Sequence, residues 1–205
     1  MALVSIASLA CSDRDTAEAN AAPDQMPDSF LVSLRTSAGE IRMVLHHAWS
    51  PAAVERAYEL IEDGFYDGAR FYRVNDQYAQ FGFSGRPALD SVWMPRKLPD
   101  EPVRASNERG VVTFARAGPA SRNFVMFINV TDNRFLDTWS GDGVAGFPPV
   151  GRVVSGLEVA ELLESEHGDR IVPLEDSILA RGNAFLDGRF PGLDSIVTAE
   201  IVERW

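Results

Sequence analysis

From Phe30 onward the apolar residues fall on every second position: Phe30, Val32 and Leu34 face one way while Ser33 and Arg35 face the other. Successive side chains of an extended chain point to opposite sides, so this spacing encodes a strand with one face to bury. Ser37-Ala38-Gly39-Glu40 can turn the chain, and Ile41, Met43 and Leu45 repeat the alternation. Residues 30–46 are therefore expected to form a β-hairpin with one buried face.

The pattern continues. Strands are expected over 70–75, 78–83, 111–115, 124–130, 149–154 and 196–203, eight in all with the hairpin. Ser50-Pro51 offers an N-cap and a first-turn proline, and Val54, Tyr58, Ile61 and Phe65 recur at helical spacing, predicting a helix over about 51–64 closed by Gly64. A second helix fits 157–166, where Val159, Leu162 and Leu163 form a stripe beside an acidic face. Eight strands and two separated helices, without regular strand–helix alternation, predict a mainly β fold: a closed eight-stranded antiparallel β-barrel capped by two α-helices.

With 205 residues, 45% hydrophobic and 24% charged, the chain has the length and composition for one packed domain. Its 19 Lys and Arg against 30 Asp and Glu give a net charge of −11, which argues against a phosphate-tracking nucleic-acid surface and against docking on an anionic membrane. The single cysteine, Cys11, excludes an internal disulfide framework and a Cys-rich zinc site. It ends an uncharged run of small and apolar residues, 1–11, of signal-peptide core length and too short to span a bilayer. Ala10-Cys11 resembles a bacterial lipobox, with Ser8 where Leu is usual and no basic residue before the run. Residues 12–29 are nearly free of large apolar side chains and read as a flexible tether to a domain over 30–205.

Several chemical signatures fail on context. Gly141-Asp142-Gly143-Val144-Ala145-Gly146 has the letters of a dinucleotide fingerprint, but Phe147-Pro148-Pro149 follows where a helix must open. Gly82-Phe83-Ser84-Gly85 lacks nucleophile-elbow spacing. His46 and His47 are adjacent in a strand and point apart, so they make a poor metal pair, and His167 stands alone. No cofactor and no metal are expected. Residues 85–110, with Trp93, Pro95 and Pro99, read as a long surface loop.

One ordered set of segments stands out. Gly64-Phe65-Tyr66-Asp67-Gly68, Arg70-Phe71-Tyr72-Arg73-Val74, Phe114-Ala115-Arg116-Ala117-Gly118-Pro119 and Met126-Phe127-Ile128-Asn129 resemble the cyclophilin family of peptidyl-prolyl cis–trans isomerases. Phe135-Leu136-Asp137, the stretch from Val150 to Leu157, Gly182-Asn183-Ala184-Phe185-Leu186 and Phe190-Pro191-Gly192-Leu193-Asp194 extend the resemblance in order. Their order agrees with the strand and helix plan obtained from periodicity.

The resemblance implies catalysis of rotation about X-Pro amides in proline-containing polypeptides, needing no cofactor; a monomer is expected because no unpaired apolar helix face argues for assembly. Arg73 matches the family's catalytic arginine. Tyr78, Phe127 and Leu136 match the proline pocket, beside Phe135, and Ala115, Arg116 and Ala117 match the backbone stretch that binds peptide as an added strand. Departures are Tyr72 for a His, Ala79 for a Met, Phe81 and Val125 each for a Gln, and Phe147 near the place of another His. Loss of two amides implies weakened activity, or alternatively a non-catalytic peptide-binding or chaperone module. Phe81 and Val125 are expected to pack against each other, and the 182–186 segment to form a lid-like tail without chemistry. The N-terminal run predicts a location in the bacterial envelope, periplasmic and with Cys11 as a candidate lipid anchor; a cytoplasmic location is the alternative. Mass spectrometry of protein from cells should find a lipidated chain beginning at Cys11, and an unmodified Met1 would rule the anchor out.

Overall fold

The computed structural model describes residues 26–141 and 143–205. The signal-like run, Cys11 and most of the tether lie outside them. Eight strands occur among the described residues: β1 Ser29–Thr36, β2 Glu40–His46, β3 Arg73–Val74, β4 Tyr78–Phe81, β5 Val111–Phe114, β6 Met126–Asn129, β7 Pro149–Ser155 and β8 Ile196–Arg204. They form one antiparallel sheet in the order β3-β4-β6-β5-β7-β2-β1-β8. The hairpin pairs as the alternation requires, Phe30 with Leu45, Val32 with Met43 and Leu34 with Ile41, and all six side chains are fully buried.

The sheet curls into an open half-barrel, not the closed barrel expected. Its edges, β3 and β8, approach through 68–71, which precede β3: Phe71 N donates to the Asp194 carbonyl at 2.9 Å and Ile196 N to the Ala69 carbonyl at 2.8 Å. Closure stops there because β3 is two residues long and a 3-10 segment, Gly168–Leu174, packs against it in place of β8.

The helices also exceed the expected two. They are α1 Pro51–Glu62, α2 Pro87–Trp93, α3 Leu157–Glu161, α4 Glu175–Arg181 and α5 Asn183–Arg189, with a second 3-10 turn at Arg134–Asp137. The first helix ends as its sequence suggests. Gly64 at φ +60° lets Gly64 N reach the Ile61 carbonyl and Phe65 N the Leu60 carbonyl, so the last carbonyls of the helix are satisfied. Its start differs. Ser50 does not cap with its own side chain. The Glu101 carboxylate does so from a distance, accepting from Ala52 N at 2.9 Å and from Ser50 Oγ at 2.5 Å, and is itself paired with the buried Arg122 at 3.0 Å. α3 stops at Glu161 because the chain turns away: Glu164 N donates to Asp194 Oδ2 at 2.8 Å, which leaves Leu162 exposed. The loop at 85–110 contains α2, which packs against α4.

Ala79 and Phe81 of β4 face the core. Phe81 packs edge-on against Tyr66 and Phe71, with centroids 5.4 and 5.3 Å away, and is fully buried. Replacing it, Phe81→Ala, should lower stability by about 3–5 kcal/mol in urea unfolding, as for a large ring removed from a packed core; a loss under about 1 kcal/mol would contradict this placement.

Candidate active site

Strand alternation and register build one concave face. Gln80 pairs with Phe127 and Tyr78 with Asn129 across β4 and β6, so Tyr78, Gln80 and Phe127 share a side, while Ala79, Phe81, Met126 and Ile128 share the core side. Tyr78, Phe127 and Leu136 form a small apolar cluster of their own, with Ala115 and Phe147 packed against it. Tyr78 and Phe127 meet edge to face at 5.1 Å. They floor a cavity of about 250 Å³ whose outer wall is Phe135, Trp139 and Phe147 and whose polar rim is Arg73, Gln80 and Arg116.

A buried polar frame holds the cluster. The Asp137 carboxylate accepts from Ser106 Oγ, Asn107 N and Asn107 Nδ2. Burial pushes its pKa up, but those hydrogen bonds and the Arg134 charge outweigh it and hold the carboxyl below its ordinary value. Asn107, fully buried, also donates to the Phe147 carbonyl at 2.9 Å and accepts from Thr113 at 2.8 Å. Phe147 N in turn donates to the Leu136 carbonyl at 2.8 Å. One side-chain amide thereby holds Phe147 directly and, through Asp137, the turn that bears Leu136.

At the rim, Arg73 donates from Nε to Asp169 Oδ1 at 2.6 Å and from Nη1 to Gln80 Oε1 at 3.2 Å, with its guanidinium 4.9 Å from the Tyr78 ring centroid. Gln80 Nε2 donates to the Tyr72 hydroxyl at 2.5 Å, and that hydroxyl donates to Glu175 Oε1 at 2.8 Å. Every donor in this chain points the same way, from the cation to the carboxylate. Arg116 lies across the cavity, its guanidinium 4.1 Å from the Phe147 centroid and bonded to the Gly146 and Val144 carbonyls.

Of the residues picked out in the sequence, Arg73, Tyr78, Ala115, Arg116, Phe127, Phe135, Leu136 and Phe147 border this cavity. Val125 and Ala117 border an adjoining groove that Arg73, Gln80 and Glu175 also line. Three others are not in contact with it. Tyr72, 1% exposed, has its ring against Phe83 at 5.3 Å and reaches the site only through its hydroxyl. Ala79 and Phe81 belong to the core, and Val125 packs against that core while also lining the groove. The amide read as lost at position 81 is supplied by Gln80. Alternation from Tyr78 would have found it; position-by-position matching to a family motif did not. Trp139, a ring in a glycine-rich stretch, was missed as well.

Chemically, the arrangement offers an apolar seat beside a protonated, planar donor held in place. The sequence profile described as cyclophilin type peptidyl-prolyl cis–trans isomerase/CLD matches residues 31–182. Curated relatives include peptidyl-prolyl cis–trans isomerase A of Dickeya dadantii, 32% identical over 71% of this chain and 76% of that one. The cyp18 isomerase of Streptomyces antibioticus is 31% identical over 72% and 94%. Among solved structures, a cyclophilin-type isomerase of Cryptosporidium parvum, determined in the presence of the dipeptide Ala-Pro, superposes with a TM-score of 0.61 at 17% identity, covering 85% of this chain and 99% of that one. The chain belongs to the cyclophilin-type peptidyl-prolyl cis–trans isomerase family.

Burial raises the Glu175 carboxyl above its ordinary value, opposed by the Tyr72 hydrogen bond and the Arg73 charge and aided by Asp176. The folded chain thus holds this proton more tightly than the unfolded chain, so ionised Glu175 opposes folding above the raised value and ceases to do so below the ordinary one. Glu175→Gln should therefore be the more stable protein at about pH 7, with the difference closing as the pH falls to about 4. Urea unfolding at several pH values checks this, and a constant difference would contradict it.

Proposed function

We propose that Arg73 carries the peptidyl-prolyl isomerisation of this enzyme by donating to the substrate amide as it twists, while Tyr78, Phe127 and Leu136 seat the proline ring. The barrier to rotation, about 18–20 kcal/mol, arises from delocalisation of the prolyl nitrogen lone pair into the carbonyl. At the top of the barrier that pair is localised and the nitrogen becomes a hydrogen-bond acceptor. A donor aimed at it acts on the transition state more than on either ground state, which is the condition for acceleration. Guanidinium stays protonated at all working pH and has five N–H donors in a rigid plane, so it can serve Asp169 and Gln80 and still present donors to the cavity.

The observation that carries this reading is the position of Arg73 at the rim of a cavity floored by Tyr78 and Phe127. The relative determined with Ala-Pro supports a proline-containing peptide as substrate. Ala115 and Arg116 border both the cavity and the adjoining groove, which Ala117 continues, a path for an extended peptide running past the seated ring. Retention of an amide at Gln80, bonded to Arg73, removes part of the case for a merely peptide-binding module.

A protease-free prolyl isomerisation assay tests the assignment. Arg73→Ala should lower kcat/KM by about 100- to 1,000-fold, the loss typical of a preorganised donor to developing charge. Equal rates for the two proteins would remove Arg73 from the mechanism.

A further inference from the structure

Two routes tie Arg73 to the helical segment near the C-terminus. Asp169, in the 3-10 segment beside β3, accepts directly from Nε and is itself steadied by Asn75 Nδ2 at 3.0 Å. Glu175, the first residue of α4, accepts from Tyr72, whose hydroxyl accepts from Gln80, which accepts from Arg73 Nη1. Nε and Nη1 are different corners of one rigid plane. Fixing both fixes the plane, and with it the direction of every remaining N–H. One tether would leave the group free to rotate about the bonded nitrogen.

The two carboxylates differ in setting. Asp169 has an exposed side chain, 64%, and Arg73 is 27% exposed, so this pair is screened by water and adds little to folding stability. What such a contact can do is restrict the arginine to one rotamer before substrate arrives, and orientation of a reacting group is where small restrictions have large kinetic effects. Glu175 is more deeply placed and acts through a chain in which each hydrogen bond polarises the next.

We propose that Asp169 and Glu175 are positioning residues of the isomerase site, so that the helical segment 168–181 is a working part of it and not a passive tail. The proposal rests on the assignment of Arg73 above. It is tested by kcat/KM, by the Kd of an Ala-Pro-containing tetrapeptide and by Tm, for Asp169→Ala, Tyr72→Phe and both together, in the full chain and again with Arg73→Ala. Each single change should lower kcat/KM roughly tenfold and the pair more, with Kd within about twofold. Tm should barely move for Asp169→Ala, and with Arg73→Ala present neither change should have a further effect. Parent rates in both single variants, alongside an impaired Arg73→Ala, would overturn the positioning role and leave Arg73 standing. A faster Asp169→Ala would overturn it too, since the carboxylate would then be competing with substrate for the guanidinium. Losses that persist with Arg73→Ala would show that these residues act elsewhere, and an unimpaired Arg73→Ala would bring down both readings.

Discussion

The pairing of β4 with β6 is the constraint on which the rest of the site depends. Side chains alternate strictly along a strand, so the pairing of Gln80 with Phe127 decides in one stroke which residues face the cavity and which the core. A slip of one residue would put Phe81 into the cavity and Gln80 among Tyr66, Phe71 and Phe124, an unpartnered amide in an aromatic core. The register is thus held by the cost of the alternative as much as by its own contacts. Behind it, Asn129 of β6 donates to the Val111 carbonyl at 2.9 Å and accepts from Asn133 at 2.9 Å, so the strand is fixed by side-chain as well as ladder bonds.

Around that register the molecule uses buried polar groups to connect segments far apart in sequence. Asn107 and Asp137 join the approach to β5 with the 3-10 turn bearing Leu136 and with the start of the stretch leading to β7. Glu101 and Arg122 join the long loop to the first turn of α1. Breaking one partner of such a frame leaves the other buried without compensation, which costs more than the bond itself contributes. Loops that would otherwise be slack therefore present Leu136, Phe147 and Arg116 in defined places.

Much of this was legible from the chain. Alternation located all eight strands to within a few residues, because a one-sided sheet writes its burial into every second position, and proline and glycine marked the limits of α1. Closure was not legible, since it turns on how two edges meet, and the 3-10 segment covering β3 lies some ninety residues beyond it. The same distance hid Asp169 and Glu175: an acidic residue among thirty has no local mark that it will reach an arginine on another element. Tyr72 misled in a different way. Its place in a motif suggested contact with substrate, whereas a ring on the inner face of the sheet can touch the site only through its hydroxyl. Gln80 was within reach of the sequence, had the two-residue period been given precedence over the matched motif.

A sheet that does not close keeps an edge. β8 is one of its two edges, and past its contacts with 68–71 its outer side has no strand partner among the described residues. Exposed Val197 and Val202 would make it a template for pairing with another copy, yet Glu200, Glu203 and Arg204 are set among them. Charge on an edge strand makes strand addition by an identical chain unfavourable. The acidity of the chain thus acts as colloidal protection for an unfinished barrel, strongest well above the isoelectric point of about 4.7 and weakest near it.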